Sequence, residues 1–289
     1  MEPEQLKKLS IEGCEFIGRG AHASVYRIAP DEIVKVYRED IPYERVLTEK
    51  QRAKRAFILG VPTAISFDIV KVGNSYGAVY ELLDAEPTDG FVNKSRANLD
   101  AFIDMSVGLL KYIHSVDAGT GEFADMKADH FKWADNSESL IGKTAADKIR
   151  QLIREVPDSK KLLHGDFHLK NIIICKGKPM LIDMDTLCFG DPLFDLATIA
   201  NSYRTFPMIA PEAATVHLGI SVEDAYYIWE RTLSLYYGGL IAEELSDIER
   251  KAIALGLLRI IDFAQRNGTP EQRELLVNKG TELLKEALD

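Results

Sequence analysis

Asp166, Asn171 and Asp183 place two carboxylates and an amide in an order that suits phosphoryl transfer. The first two lie in His164-Gly165-Asp166-Phe167-His168-Leu169-Lys170-Asn171, five positions apart, so one tight loop can carry both. Asp183 follows twelve positions after Asn171, beyond two apolar runs, Ile172-Ile173-Ile174 and Met180-Leu181-Ile182. Lys176-Gly177-Lys178-Pro179, between those runs, is rich in turn residues, so the stretch predicts a β-hairpin. A hairpin turns the chain back and returns Asp183 to the neighbourhood of Asn171. Phosphoryl transfer asks a protein for an aligned nucleophile and for charge neutralisation around the phosphates. Asp166 can accept the proton of an acceptor hydroxyl, and Asn171 and Asp183 supply the hard oxygens that Mg²⁺ prefers. A loop turn capped by Asp166 is the plain alternative. Asn171, the hairpin and Asp183 in register weigh against it.

Elements upstream supply what such a site still lacks. Residues 16–26 read as two β-prone runs joined by a turn containing Gly18 and Gly20. Bare glycines let backbone amides approach phosphates closely, and Gly18, Gly20 and Ser24 are the candidate nucleotide contacts here. An ordinary hairpin explains the same glycines, since Ala23 stands where a third would complete GxGxxG. Lys35 sits in an alternating apolar strand, Glu32-Ile33-Val34-Lys35-Val36-Tyr37, where a charge is costly unless paired. Residues 46–59 predict a helix with apolar positions 46, 53, 56 and 57 on one face, ended by Gly60-Val61-Pro62. Glu49 on that helix is the candidate partner of Lys35, with Glu44 the competing acid. Two further strands are predicted at 64–72 and 76–82, joined by Gly73-Asn74-Ser75. The chain then leaves the sheet through Glu81-Leu82-Leu83, where Glu81 and Leu83 mark a linker whose backbone can meet a nucleotide base.

These residues together resemble the aminoglycoside phosphotransferase and choline kinase family, small-molecule kinases with a protein-kinase-like fold. The resemblance rests on GRGAHASVY, the strand lysine, TEKQRAKRAF with ILGVPTA, LLKYIHSVD, HGDFHLKN, LIDMDT and GDPLFDLA, and covers most of the chain. It implies an α+β, two-lobed fold with a β-rich nucleotide-binding lobe at 1–83. A mainly helical lobe at 84–289 would carry catalysis and acceptor binding. It implies ATP and Mg²⁺ as cofactors, Asp166 as catalytic base, Asn171 and Asp183 as metal ligands, and Lys35 with Glu49 at the phosphates. Asp185 stands where several members carry a second acid near the metal. Asp195 matches a structural aspartate that braces the catalytic loop, although a simple acid at a helix N-terminus reads the same way.

Two features separate the chain from protein kinases. Gly165 replaces the arginine of HRD, and only twelve positions run from Asp183 to Asp195, too few for a regulated activation segment. The partner expected is therefore a small-molecule hydroxyl acceptor. A nucleotide-binding pseudokinase or scaffold module is the alternative from another class, and it needs a damaged catalytic set. Lys35, Asp166, Asn171 and Asp183 are all present.

Bulk properties agree. A chain of 289 residues, 46% hydrophobic, can bury a substantial core. Its net charge of −10 argues against nonspecific nucleic-acid binding and is compatible with a cationic acceptor. Cys14, Cys175 and Cys188 are widely spaced and odd in number, which reads as reduced thiols in a cytoplasmic protein. MEPEQLKKLS has no apolar signal core, and no run reaches membrane-spanning length. His164 and His168 are not read as a metal pair, because Gly165 interrupts any helix between them; His164 is expected to brace the loop. Lys170 reads either as a phosphate contact or as a solvated lysine. Helices are predicted at 197–203, 222–245, 248–266 and 271–288. The aromatic-rich 224–237 stretch and the insert at 119–139 are the candidate walls of an acceptor pocket, with core packing the competing role for the rings.

Overall fold

A computed structural model describes residues 5–20, 22–119 and 123–289. Ala21 of the glycine turn, residues 1–4 and residues 120–122 of the insert lie outside the described residues. The chain divides into two compact units, Met1–Glu86 with Asn171–Thr186, and Pro87–Lys170 with Leu187–Asp289.

The first unit is built on a five-stranded antiparallel sheet. Its strands are β1 (Glu15–Arg19), β2 (Ala23–Ala29), β3 (Glu32–Tyr37), β4 (Ser66–Val72) and β5 (Ser75–Glu81), in the order β1-β2-β3-β5-β4. Alternation in β3 and its neighbours sends Val34, Val70, Val72 and Val79 into one apolar cluster. Gly77 makes the close packing possible, because a Cβ there would lie 2.7 Å from a methyl of Val34. Helix α1 (Tyr43–Ile58) buries Tyr43, Val46, Glu49, Ala53 and Ala56, a spacing of three and four that defines one face. Phe57, expected on that face, is half exposed, because it falls in the last turn, just before the chain leaves the helix at Leu59-Gly60. Glu44 in the first turn and Arg55 in the last complement the helix dipole.

The predicted hairpin forms from Ile172–Cys175 and Lys178–Leu181, with Lys178 opposite Cys175 and Leu181 opposite Ile172. Lys176 and Gly177, both at positive φ, make its turn. A short strand β6 (Ala85–Glu86) pairs with its first arm. On the other arm the Leu181 amide donates to the Pro62 carbonyl at 2.8 Å.

The second unit is mainly helical: α2 (Thr88–Val92), α3 (Arg96–Ser115), α4 (Met126–Ile141), α5 (Lys143–Glu155), α6 (Pro192–Ala200), α7 (Phe206–Ile209), α8 (Pro211–Leu218), α9 (Val222–Tyr236), α10 (Ala242–Asn267) and α11 (Pro270–Leu288). Side-chain caps set several starts: Ser95 for α3, Asp125 for α4, Asp191 for α6, Ser221 for α9 and Thr269 for α11. A small sheet of Ala124–Asp125, Cys188–Gly190 and Lys161–Leu163 holds the ends of the segments that flank the catalytic-type loop.

Some boundaries differ from those predicted. The helix expected at 222–245 is two helices, because Gly238 and Gly239, the latter at φ +103°, end α9 and let the chain turn into α10. The helix expected at 197–203 begins at Pro192 and passes at Asn201–Thr205 into a π-helical turn. Much of the 119–139 insert, for which no helix was predicted, forms α4. Among the described residues, no helix is long and apolar enough to cross a membrane.

Candidate active site

Within the first unit, Lys35, Glu49, Asp183 and Asp185 come together. Lys35 on β3 donates from Nζ to Glu49 Oε1 at 2.7 Å and to Asp183 Oδ1 at 2.9 Å. Glu49, not Glu44, is thus the ion-pair partner of the strand lysine, and it is buried. Burial alone would lower the Lys35 pKa, but Glu49 and Asp183 outweigh it and hold the amine protonated, above its ordinary value. The Tyr37 ring lies 5.4 Å from the Lys35 amine and backs it from within the sheet.

Asp183 has a backbone φ of +63°, a conformation that aspartate tolerates better than most residues but that still carries strain. The Ile182 amide donates to the Asn171 carbonyl at 2.9 Å, so the hairpin closes with Asn171 directly beside the Asp183 segment. Asn171 itself is buried. Carboxylate oxygens of Glu49, Asp183 and Asp185 can be chosen within 4.8 Å of one another. With Glu49 committed to Lys35, Asp183 and Asp185 offer an oxygen-only donor pair. That matches Mg²⁺, which takes one or two carboxylates and completes its shell with phosphate and water. The residues therefore fit the ion.

Helix α1 holds this group at three points, on residues spaced three and four apart. Glu49 takes Lys35, Arg45 pairs with Asp185 Oδ2 at 3.4 Å, and Arg52 donates to the Asp185 carbonyl. Arg45 and Arg52 were missed in the sequence, although their i−4 and i+3 spacing from Glu49 puts all three on one face and was there to be read.

Gly18 pairs with Val25 in the β1–β2 ladder, and among the described residues a Cβ at Gly18 would meet no atom within 4 Å. Packing against the described residues therefore does not demand that glycine. The Gly20 amide donates to the Ala23 carbonyl at 2.9 Å, and the Ser24 hydroxyl accepts from Arg19 at 3.4 Å. Glu81 ends β5 and exchanges hydrogen bonds with Ile65, while Leu83 is half-buried just beyond the strand. Among the described residues, no hydrogen bond recorded in the structure joins Gly18, Gly20, Ser24, Glu81 or Leu83 to the Lys35 group.

Asp166 lies in the second unit, on a loop fixed from beneath. Gly165 has φ +77°, which explains a glycine where an arginine is usual in protein kinases. Asp195, fully buried on α6, accepts the His164 amide at 2.8 Å through Oδ2 and the Gly165 amide at 2.7 Å through Oδ1. His114 Nε2 lies 3.0 Å from the same carboxylate, and His114 Nδ1 lies 2.7 Å from the Tyr236 hydroxyl. Burial raises the Asp195 pKa, but His114 and the His164 amide overcome it, and the net shift is downward. Asp195 is thus a brace for the loop and not merely a helix-terminal acid. Arg259 donates to the Gly165 carbonyl, and the Leu169 amide donates to Tyr203 Oη at 2.7 Å. Neither contact has a short-range signature in the sequence. Lys170, read as either phosphate contact or solvated, is paired with Asp89 at 2.6 Å.

Asp166 is drawn down as well. Burial opposes ionisation, but a hydrogen bond from His168 and the charges of His168, Arg259 and His164 leave the carboxyl below its ordinary range. A carboxylate in that state is ionised at neutral pH and ready to accept a proton.

Comparison with solved structures shows the fold of the aminoglycoside phosphotransferases. A thermostable mutant of aminoglycoside phosphotransferase APH(4)-Ia superposes with a TM-score of 0.63 at 14% identity, covering 94% of each chain. ADP-bound APH(2'')-Ib gives 0.60 at 15% identity over 97% of this chain and 95% of that one. The streptomycin–ATP–APH(2")-IIa ternary complex gives 0.59 at 17% identity over 94% and 90%. A search of curated protein sequences gave no match. The model of the phosphotransferase enzyme family matches residues 13–229, and the chain belongs to that family. It is a small-molecule phosphotransferase.

Proposed function

We propose that the protein transfers the γ-phosphate of ATP, with Mg²⁺, to a hydroxyl group of a small molecule. The observation that carries this reading is Lys35 held between Glu49 and Asp183. That arrangement fixes one positive charge for the nucleotide phosphates and keeps a metal-type carboxylate beside it. Two similar structures support the choice of cofactor by their contents, one holding ADP and one holding ATP with streptomycin.

In this reading Asp183, Asp185 and Asn171 would hold Mg²⁺, which would supply charge neutralisation at the phosphates. Lys35 contacts the α- and β-phosphates, and Glu49 keeps it in place. Gly18, Gly20 and Ser24 cover the phosphates, and the backbone around Glu81 and Leu83 meets the base. Asp166 accepts the acceptor's hydroxyl proton at a carboxylate oxygen and aims the oxygen for attack. Residues 1–83 act as the nucleotide-binding lobe and 84–289 as the catalytic and acceptor-binding lobe. The protein acts in the cytoplasm, consistent with its three free cysteines.

The test is a screen of Mg²⁺-dependent ATP and GTP consumption with aminoglycosides, amino alcohols and sugars as acceptors. A phosphorylated product with at least one of them is the expected result. Calorimetry showing no binding of either Mg²⁺-nucleotide would overturn the reading.

A further inference from the structure

The HGDFHLKN loop contains a second histidine that the proposed reaction leaves without a task. His168 is buried, and its two ring nitrogens face different partners. Nδ1 accepts the Lys170 amide at 3.2 Å, and Nε2 lies 3.3 Å from Asp166 Oδ2. A nitrogen that accepts an amide hydrogen bond carries no proton, so the ring proton sits on Nε2. From there it can only be donated, and the ionised Asp166 carboxylate can only accept. The backbone of the loop thereby selects the tautomer that serves Asp166.

His164 offers an internal contrast. It also accepts an amide two residues on through Nδ1, that of Asp166 at 3.3 Å, but its own amide is tied to Asp195. Its geometry is that of a loop brace. His168 instead places a ring nitrogen against the Asp166 carboxylate. The His217 ring on α8 packs edge-on to it at 5.7 Å and limits its rotation. The titratable and charged groups that face this pair include His164, Arg259, Tyr203, His217 and Lys170, the last held by Asp89.

We infer that His168 is a positioning residue for the transfer reaction: its Nε2–H holds Oδ2 of Asp166 and so orients the carboxylate that takes the proton of the acceptor hydroxyl. The inference rests on the reading of Asp166 as the base. It adds that the orientation of the base is set by a neighbour whose tautomer the loop dictates. A carboxylate free to rotate would present either oxygen and would spend part of its time misaligned, which lowers turnover without altering nucleotide binding.

Two substitutions separate the functions of the ring. Glutamine at 168 can place an N–H donor where Nε2 lies but gives up the acceptor for the Lys170 amide. Asparagine keeps an acceptor near Nδ1 but cannot reach Asp166. The full-length protein is used with Mg²⁺-ATP and an acceptor from the screen above, and the Asp166 carboxyl is followed by ¹³C NMR, which needs no acceptor. The expected result is that His168→Asn loses about ten- to a hundredfold in kcat, the range that a hydrogen bond to a charged group gives. Its KM for ATP should be unchanged, and its Asp166 carboxyl should titrate closer to the ordinary carboxylate range. His168→Gln should restore most of both. Wild-type turnover and titration in His168→Asn overturn the inference, and so does equal impairment of the two variants, which shows that an N–H donor toward Asp166 does not restore function. Asp166→Asn is the control. Full turnover in that variant removes the reading of the base itself, whereas an inactive Asp166→Asn beside a fully active His168→Asn removes only the role of His168.

Discussion

Lys35 and Asp183, 148 positions apart in sequence, are joined by a 2.9 Å hydrogen bond between Nζ and Oδ1. The bond ties a strand of the N-terminal sheet to the end of a hairpin formed much later in the chain. Folding therefore assembles the phosphate-type lysine and the metal-type carboxylate inside one compact unit. With Glu49 on the other side of the amine, two carboxylates share one positive charge, and a nucleotide phosphate would find the lysine already oriented.

Replacing Lys35 by alanine leaves Glu49 buried without its cation. Loss of one partner of a buried pair costs about 3–5 kcal/mol when the remaining charge stays uncompensated. Glu49 can escape part of that cost by protonation, since burial and the nearby Asp183 already press its pKa upward. Lys35→Ala should therefore fold with reduced stability and bind Mg²⁺-ATP more weakly, while adenosine binding is unchanged. Calorimetry with ATP and with adenosine checks this. An equal loss for both ligands would count against a phosphate role.

Asp183→Asn tests the other end of the same bond. It removes one of the two carboxylates holding Lys35 and, in the proposed reading, a charged ligand of the metal. ATP affinity in the presence of Mg²⁺ should fall by at least about tenfold, the factor that 1.4 kcal/mol gives, with little change in its absence. Titrating nucleotide with and without the ion separates the two cases.

The catalytic-type loop, the lysine strand, the helix with Glu49 and the hairpin were all legible in the sequence. Each is local: turn residues between apolar runs, or a charge set in an alternating strand. The supports were less legible. Tyr203 and Arg259 reach the loop, and His114 reaches its brace Asp195, from distant helices, and no spacing rule connects them to it. Arg45 and Arg52 were readable from the face they share with Glu49. The break between α9 and α10 was visible as Gly238-Gly239, but the apolar periodicity on both sides masked it.

Packing around Gly77 gives a stability prediction without any chemistry. A methyl group there meets Val34, Val70 and Val72 at 2.7–3.3 Å, and all three belong to the apolar cluster of the sheet. Overpacking of this kind costs about 1–3 kcal/mol. Gly77→Ala should lower the unfolding free energy measured by urea melts by that amount, and an unchanged midpoint would show that the valines can shift aside.

Asp195 links stability to pH. Its pKa is depressed in the folded protein despite burial, by His114 and by the His164 amide, so folding favours the ionised form. The sign follows from linkage: the contribution is fully present above the unfolded value of about 3.9 and is lost as pH falls through the lower folded value. Asp195→Ala, which strands two amides and His114, should cost about 3–5 kcal/mol at pH 7. The difference from wild type should shrink in strong acid. Urea melts at pH 7 and pH 3 measure both, and a deficit that grows on acidification would contradict the assignment.

Asp166→Asn separates catalysis from nucleotide binding. In the proposed reading Asp166 acts on the acceptor hydroxyl, whereas Lys35 and Asp183 act on the nucleotide and its ion, so the variant tests the first role apart from the second. A positioned base acts on the transition state and contributes about 10²–10⁴-fold to turnover. Asparagine keeps the size of the side chain and can still accept a hydrogen bond, but it is too weak a base to take the hydroxyl proton. The variant should therefore bind Mg²⁺-ATP as wild type does and lose at least about 10²-fold in kcat. Because the Asp166 pKa is depressed, wild-type turnover should hold across neutral pH and show no carboxylate limb above about pH 5. Near wild-type turnover in Asp166→Asn would remove the base from the mechanism and revive a nucleotide-binding role without transfer.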